Sequence, residues 1–247
     1  MRPVLESLLA GHMVPDKLFV TFPLTSILEN CGYSIPDFLN DCDFCGERIA
    51  VVRADRDWGS GTKLLGSLNA IPPQSYLVLA DDDVRYHPHF LRGIVEAQQA
   101  DHSASFSYHT HRVRGLTLGQ GCDGFSFWLP NLGGVRAFAE RHVADTNLLF
   151  HDDLWISFFL TSKGIKIRSV APPERGLLIY EVEHHINALN RLSGDLSRRS
   201  LNRTGLKRLL RDAPMPWRQR QKIRLVSALD RVWNRPVQKV GRYIGRL

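Results

Sequence analysis

The sequence predicts an α/β domain followed by a basic, helical C-terminal extension. Over residues 17–185, short apolar segments of strand length alternate with segments of helical period, which is typical of a sheet with crossover helices. Residues 76–84 run from an apolar strand directly into three aspartates, and open α/β sheets place their ligands at strand ends. The charge also changes along the chain: residues 1–197 contain 17 Lys and Arg against 23 Asp and Glu, whereas residues 198–247 contain 15 against 2. We therefore predict an α/β domain at 1–190 and a basic amphipathic helical extension at 191–247.

The first half of the chain predicts three strands, because three short apolar runs are bounded by polar or turn residues. These strands are 17–22, 48–53 and 76–80. The predicted helical segments are a stretch that ends at Asn30, a second at 35–40, and two helices at 62–70 and 88–100. Pro72 ends the third of these segments, and Pro88 suits the first turn of the last one.

The second half predicts fewer strands and more helix. The predicted strands are 103–108, 165–170 and 177–182, and a helix is predicted at 153–162. Gly164 is the expected stop of that helix. Residues 116–129 are rich in glycine and aromatic side chains, which indicates loops around a pocket. From about residue 187 every apolar stretch has helical period.

Composition excludes several classes of protein. The hydrophobic content of 43% and the charged content of 23% are ordinary for a soluble globular protein. No apolar run approaches the roughly 18 residues of a membrane span, and no targeting signal is recognised. Four cysteines are too few for a disulfide scaffold. Cys42 and Cys45 form half of a zinc site without a second pair, so ordinary thiols are the favoured interpretation.

Three clusters of residues carry the candidate chemistry. Asp81, Asp82 and Asp83 repel one another unless a cation lies between them, and Mg²⁺ or Mn²⁺ selects such oxygen ligands; a solvated acidic turn is the alternative. Residues 55–63 place small residues before Lys63, which could cradle a phosphate or form an ordinary glycine-rich turn. Asp152 and Asp153 begin a helix, where they could be a cap or supply a general base.

The order of these clusters resembles that of the GT-A glycosyltransferases, and in particular bacterial members related to family 2. The resemblance covers roughly residues 17–185. The matching segments are Asp57-Trp58-Gly59-x-x-Thr62-Lys63, then Asp81-Asp82-Asp83-Val84-x-Tyr86-x-Pro88, then Asp123-Gly124-Phe125, then Asp152-Asp153-x-Trp155-Ile156-Ser157. It implies a Rossmann-like nucleotide-sugar-binding domain with a mixed central sheet and a metal held by an Asp-x-Asp motif.

On the donor side, the resemblance implies a role for each acidic residue. Asp83 would ligate a Mn or Mg ion bound to the diphosphate, with Asp82 beside it. Asp81 would lie near the ribose or sugar and could share the metal. Asp55 and Asp57 become candidates for base or ribose contacts, and Lys63 for a contact near the nucleotide.

On the acceptor side, the family carries an acidic pair whose second member is the base of inverting enzymes. Asp153 is therefore the candidate base and Asp152 the candidate anchor of the acceptor, although the family's first acid is usually Glu. His184 and His185 could add a metal ligand, but polar surface is the favoured interpretation. Cys122 and Asp123 are expected on the acceptor side.

The C-terminal extension has basic amphipathic character. Residues 217–235 carry Ile223, Val226, Leu229 and Trp233 at helical spacing among Arg and Lys, and residues 236–247 show a similar stripe. Such a helix suits an anionic membrane surface, which would involve residues 203–247; packing of the stripe on the acidic domain is the alternative.

The expected function is metal-dependent, inverting transfer of a sugar from a nucleotide-sugar donor to a glycan or lipid-linked acceptor, with a retaining reaction left open. We expect the protein in the cytoplasm or at the inner face of the membrane. The alternative function is nucleic-acid binding through the basic tail, which is disfavoured because the domain carries no recognised nucleic-acid module.

Overall fold

The computed structural model describes residues 1–172, 180–182 and 198–233. The helices are α1 (Arg2–Leu9), α2 (Cys42–Cys45), α3 (Thr62–Leu65), α4 (Phe90–Ala100), α5 (Val135–His142), α6 (Asp152–Ser162), α7 (Arg198–Asp212) and α8 (Trp217–Trp233). The strands are β1 (Leu18–Pro23), β2 (Ile49–Ala54), β3 (Tyr76–Leu79), β4 (Val84–Tyr86), β5 (Ala104–Ser107), β6 (Thr110–Val113), β7 (Leu116–Gly119), β8 (Phe125–Trp128), β9 (Lys166–Ser169) and β10 (Tyr180–Val182).

The sheet topology is mixed, as the sequence predicted at the level of an α/β fold. The largest sheet has the order β3-β8-β5-β9, in which β8 is antiparallel to β3 and β5, and β9 is parallel to β5. A separate parallel pair joins β1 to β2. Two further antiparallel pairs join β4 to β10 and β6 to β7. The turn of the second pair is Arg114-Gly115, and both residues have positive φ, as a two-residue hairpin loop requires.

Helix α1 connects the two main parts of the sheet structure. Its Leu5 packs in a cluster with Phe22 and Ile49 of the β1–β2 pair. Its Val4 and Leu8 pack in a second cluster with β4 and α4. The amphipathic N-terminal helix therefore buries apolar side chains against both the β1–β2 pair and the β4–α4 unit.

Helix α6 lies at the centre of the main hydrophobic core. Every residue from Asp152 to Leu160 is buried, so the helix is enclosed on all sides. The core around it includes Trp58, Phe125 and Phe127 from the domain. Leu206 and Leu209 of α7 belong to the same core. The start of the C-terminal extension is thus packed on the domain.

Three sequence-based predictions about secondary structure were wrong. The stretch before Asn30 is not a helix: Asn30 has positive φ and Thr25 bridges Gly32, because the segment closes into a tight turn. The segment 116–129 is not mainly loop, since it forms β7 and β8. Its glycines allow close packing that the sequence pattern does not reveal; a Cβ on Gly119 would lie 2.6 Å from the Phe125 ring. The 35–40 segment forms only a short 3-10 turn at Asp37–Leu39.

Candidate active site

A cleft of about 1370 Å³ lies between β1 and β3 and reaches the start of α6. It brings together most of the candidate site residues that the sequence singles out. Those that line it are Asp57, Lys63, Asp81, Asp82, Asp83, Cys122, Asp152 and Asp153.

The sheet register explains why residues distant in the chain meet at this cleft. Leu79, at the end of β3, pairs with Phe125, at the start of β8. The aspartates that follow β3 and the residues that precede β8, including Gly121 and Cys122, therefore share one edge of the sheet. Tyr86 ties the two segments together, because its hydroxyl accepts a hydrogen bond from the Asp81 N–H (2.8 Å) and donates one to the Cys122 carbonyl (3.2 Å).

Lys63 bridges the two acidic clusters. Its Nζ lies 2.5 Å from Asp81 Oδ1 and 3.2 Å from Asp152 Oδ2. Asp81 belongs to the strand-end triplet and Asp152 to the first turn of α6. One ammonium group thus joins the strand-end triplet to the acidic pair at the start of α6.

The pKa values of Lys63 and Asp152 shift in opposite directions. Burial lowers the pKa of Lys63, but Asp152, Asp81 and Asp153 outweigh it, so the pKa of this amine lies well above its usual value. Burial raises the pKa of Asp152, but Lys63 and a hydrogen bond with Ser60 outweigh it and lower the pKa of this carboxyl. Both groups are therefore charged at neutral pH.

Asp153 is held by the backbone of the segment before β8. Its Oδ1 accepts a hydrogen bond from the Gly121 N–H at 2.8 Å. A Cβ on Gly121 would lie 2.9 Å from Lys63 Nζ and 3.6 Å from Asp153 Oδ1. Glycine at this position thus lets the backbone reach the carboxylate without displacing the lysine.

Replacement of Gly121 by alanine is expected to move Lys63 more than it destabilises the fold. The added methyl group overlaps only the tip of a flexible side chain, so the free energy of unfolding should fall by about 1 kcal/mol or less. Urea unfolding measures this change. We also expect Gly121→Ala to weaken the ligand-induced rise in melting temperature described below. Gly32→Ala is the matched control, because a Cβ there meets nothing closer than 3.8 Å. Equal ligand responses in the two variants would show that the position of Lys63 is unimportant.

Asp57 organises the loop that carries Lys63. Its Oδ1 accepts hydrogen bonds from the Gly59 N–H (2.8 Å) and the Thr62 hydroxyl (3.0 Å). Its Oδ2 accepts one from the Ile27 N–H at 2.8 Å. This carboxylate therefore fixes the Gly-Ser-Gly turn and ties it to the segment after β1.

The segment after β1 adds an apolar wall to the cleft. Ile27, Leu28 and Tyr33 are exposed and line the cleft beside Asp57. Burial and the nearby carboxylates raise the pKa of Tyr33 against a lowering hydrogen bond from Ser26, so its phenol is neutral at physiological pH. The wall therefore presents the aromatic ring of Tyr33, the branched side chains of Ile27 and Leu28, and the Tyr33 hydroxyl as a hydrogen-bonding group.

Two predicted site residues do not line the cleft, and two others cannot be placed. Asp55 does not line it and instead pairs with Arg136 at 3.3 Å. Asp123 does not line it either; its buried carboxylate lies 3.1 Å from His109 Nδ1. His184 and His185 lie outside the described residues.

The cleft carboxylates can bind a divalent cation if a bound phosphate ligand and water supply the remaining coordination positions. Within the described part of the chain, no group of three or more His, Cys, Asp or Glu side chains could hold a metal ion by itself. Mg²⁺ commonly binds to one or two carboxylates and completes its shell with substrate phosphates and water. Asp81 and Asp83, both on the cleft wall, fit that mode.

The sequence reasoning missed four residues that position the candidate site. The sequence places Tyr86 in a motif without indicating a role for it, and it gives no signal for Gly121. Ser60 accepts a hydrogen bond from the Asp152 N–H at 3.1 Å and donates one to the Leu149 carbonyl. Asn202 of α7 hydrogen-bonds the buried His151 at 2.9 Å, directly before the acidic pair. The small residues of the Gly-Ser-Gly turn were the only local signal for any of these contacts.

No protein-family model and no curated protein matches the chain. None of the helices in the parts of the chain that the structure describes has the length and apolar character needed to cross a bilayer. The case for function therefore depends on the geometry of the cleft and on the order of the motifs.

Proposed function

We propose that the protein is a metal-dependent glycosyltransferase that moves a sugar from a nucleoside-diphosphate donor to a hydroxyl group of a glycan or glycolipid. The observation that carries this proposal is the convergence of Asp81, Asp82 and Asp83 with Asp152 and Asp153 in one cleft, with Lys63 between them. At about 1370 Å³, the cleft is larger than the roughly 300–1,000 Å³ of an ordinary small-molecule site.

The donor would lie along the β3 side of the cleft. The apolar wall of Ile27, Leu28 and Tyr33 offers a surface on which a nucleobase can stack. Lys63 pairs with Asp81 in the described part of the chain and would exchange this partner for a diphosphate oxygen when the donor binds. A Mn²⁺ or Mg²⁺ ion held by Asp83 and Asp81 would supply Lewis-acid neutralisation of the diphosphate charge.

The acceptor would approach from the α6 side. The Asp152 carboxylate is already engaged by a cation, since its Oδ2 lies 3.2 Å from Lys63 Nζ. Asp153, oriented by the Gly121 N–H, is therefore assigned as the base. It removes the acceptor hydroxyl proton while the oxygen forms a bond to the anomeric carbon. The bond from that carbon to the diphosphate breaks, the nucleoside diphosphate leaves, and the configuration inverts.

The first test is ligand-induced stabilisation. We expect one class of nucleoside diphosphate or nucleotide sugar to raise the melting temperature in the presence of Mn²⁺, since a ligand at 100 times its Kd contributes about 2.7 kcal/mol. Asp83→Ala should abolish the metal-dependent part, whereas Asp145→Ala, an exposed acid outside the cleft lining, should retain it. A panel in which no nucleotide stabilises the protein, with or without metal, would refute the donor assignment.

A further inference from the structure

The exposed face of α8 carries two large apolar side chains without a partner in the domain. Trp217 is 72% exposed and Leu225 is 64% exposed, the highest values among the large hydrophobic residues of the described chain. At 100° per residue these two positions lie about 80° apart on the helix, so they share one face. Exposed apolar pairs of this kind indicate an interaction surface when polar residues surround them.

Cations surround this apolar pair. Arg218, Lys222 and Arg224 are exposed on the same side of the helix as Trp217 and Leu225. Residues 213–226 contain no acidic residue. Helix α7 continues the basic character: the only acid between residues 200 and 226 is Asp212, which is paired with Arg211. The surface is therefore positive and apolar at once.

The opposite face of α8 is already used for packing. Ile223 is 3% exposed and belongs to the main core, and Val226 contacts Gly115 of the β6–β7 turn. Arg220 donates hydrogen bonds to the Leu210 and Ala213 carbonyls at 2.8 Å, which fixes the start of α8 against the end of α7. Ile223 belongs to the apolar stripe for which the sequence favours a membrane surface, but in the structure this residue packs on the domain. The residues of 234–247 that were expected to extend it lie outside the described part.

We propose that the face of α8 formed by Trp217, Arg218, Lys222, Arg224 and Leu225 binds the surface of an anionic phospholipid bilayer. Tryptophan is favoured at the membrane interface, where its ring is half in hydrocarbon and its N–H remains hydrated. Arginine and lysine on the same face pair with anionic headgroups, and leucine adds buried apolar area. A nucleic acid would use the cations but would leave Leu225 in water. The inference does not depend on the proposed sugar transfer, because its readout is binding.

The test is co-sedimentation of the full chain with phosphatidylcholine vesicles that contain either no anionic lipid or about 30 mol % phosphatidylglycerol, at roughly 0.15 M salt. We expect binding only to the anionic vesicles. Each basic residue near such a surface contributes about 1 kcal/mol, so Arg218→Glu/Lys222→Glu should lower the partition coefficient at least about 30-fold. Arg141→Glu/Lys166→Glu makes the same charge change on exposed residues elsewhere and should have little effect.

The apolar pair provides the second arm of the test. Trp217→Ala/Leu225→Ala should lose vesicle binding although the charge is unchanged. In a Trp128→Phe/Trp233→Phe background, the blue shift of tryptophan emission on vesicle addition should disappear on Trp217→Phe, because the remaining Trp58 and Trp155 are buried. The proposal is overturned if the Ala variant still binds vesicles, if duplex DNA competes fully with them, or if light scattering shows that Trp217 and Leu225 instead hold two copies of the chain together.

Discussion

Asp153→Asn is expected to abolish most sugar transfer while leaving the fold and donor binding intact. Removal of a general base typically costs a factor of about 10² to 10⁴ in rate. The asparagine amide oxygen can still accept the hydrogen bond from the Gly121 N–H, so the start of α6 should keep its position. The measurement is release of nucleoside diphosphate from whichever donor stabilises the protein, with water and a panel of sugars as acceptors.

Two further variants distinguish the role of Asp153 from that of Asp152 and from a general effect of removing a carboxylate. Asp152→Asn should retain more turnover than Asp153→Asn and should weaken donor binding, because Lys63 loses one of its two partners. Asp145→Asn, which changes an exposed carboxylate outside the cleft lining, should behave as the parent protein. Near-normal turnover of Asp153→Asn beside an inactive Asp152→Asn would reverse the roles of the two acids.

Lys63→Met is expected to destabilise the protein strongly. It leaves Asp152, which is 6% exposed, as a buried carboxylate without its cation. Loss of one partner of a buried ion pair costs about 3–5 kcal/mol. Urea unfolding at neutral pH measures the loss, and Lys163→Met, which removes an exposed lysine after α6, should cost far less.

The pH dependence of this variant has a defined sign. In the parent protein the pKa of Lys63 is raised, so its contribution is complete below the usual lysine value of about 10.4 and is lost as the pH rises through the higher folded value. The pKa of Asp152 is lowered, so its contribution is present above about 3.9 and is lost as the pH falls through the lower folded value. The stability difference between parent and variant should therefore be largest between roughly pH 4 and pH 10.

The double variant Lys63→Met/Asp152→Asn separates the charge from the packing. Without the carboxylate there is no buried charge to leave unpaired, so the double variant should recover part of the stability that the single variant loses. If both variants unfold at the same urea concentration at every pH, the bridge between Lys63 and Asp152 contributes no stability.

The two acidic clusters that have local sequence patterns lie together in the structure. An apolar strand that ends in three aspartates and an acidic pair at a helix start are visible within ten residues, and both line the cleft. The Lys63–Asp152 contact joins residues 89 positions apart, and the Gly121–Asp153 bond uses a backbone N–H, so neither has a side-chain pattern to detect. The role of Asp57 shows a related limit, since an acid near a predicted nucleotide site can equally organise its own loop.

In the C-terminal extension, the helical spacing of apolar residues predicted secondary structure but not which residues are buried. It correctly predicted helices at Arg198–Asp212 and Trp217–Trp233 and placed Ile223 on an apolar stripe. It could not tell which apolar residues would meet the domain, because burial depends on a surface built from residues far away in the chain. Trp217 and Leu225, which remain exposed, lay off the expected stripe.

The packing of α7 on α6 has a consequence for how this chain is made. Leu148 and Leu154 beside the acidic pair are covered at Gly205, and His151 is held by Asn202. A ribosome adding about 5–20 residues per second needs roughly 3–10 s to proceed from Asp153 to Asn202. During that interval the nascent helix lacks the apolar cover that α7 supplies and the contact between Asn202 and His151. A stop codon before position 202 would therefore yield a chain that keeps Lys63 and the Gly121 N–H as partners of the two acids, but in which the helix that carries these acids is left uncovered on its α7 side.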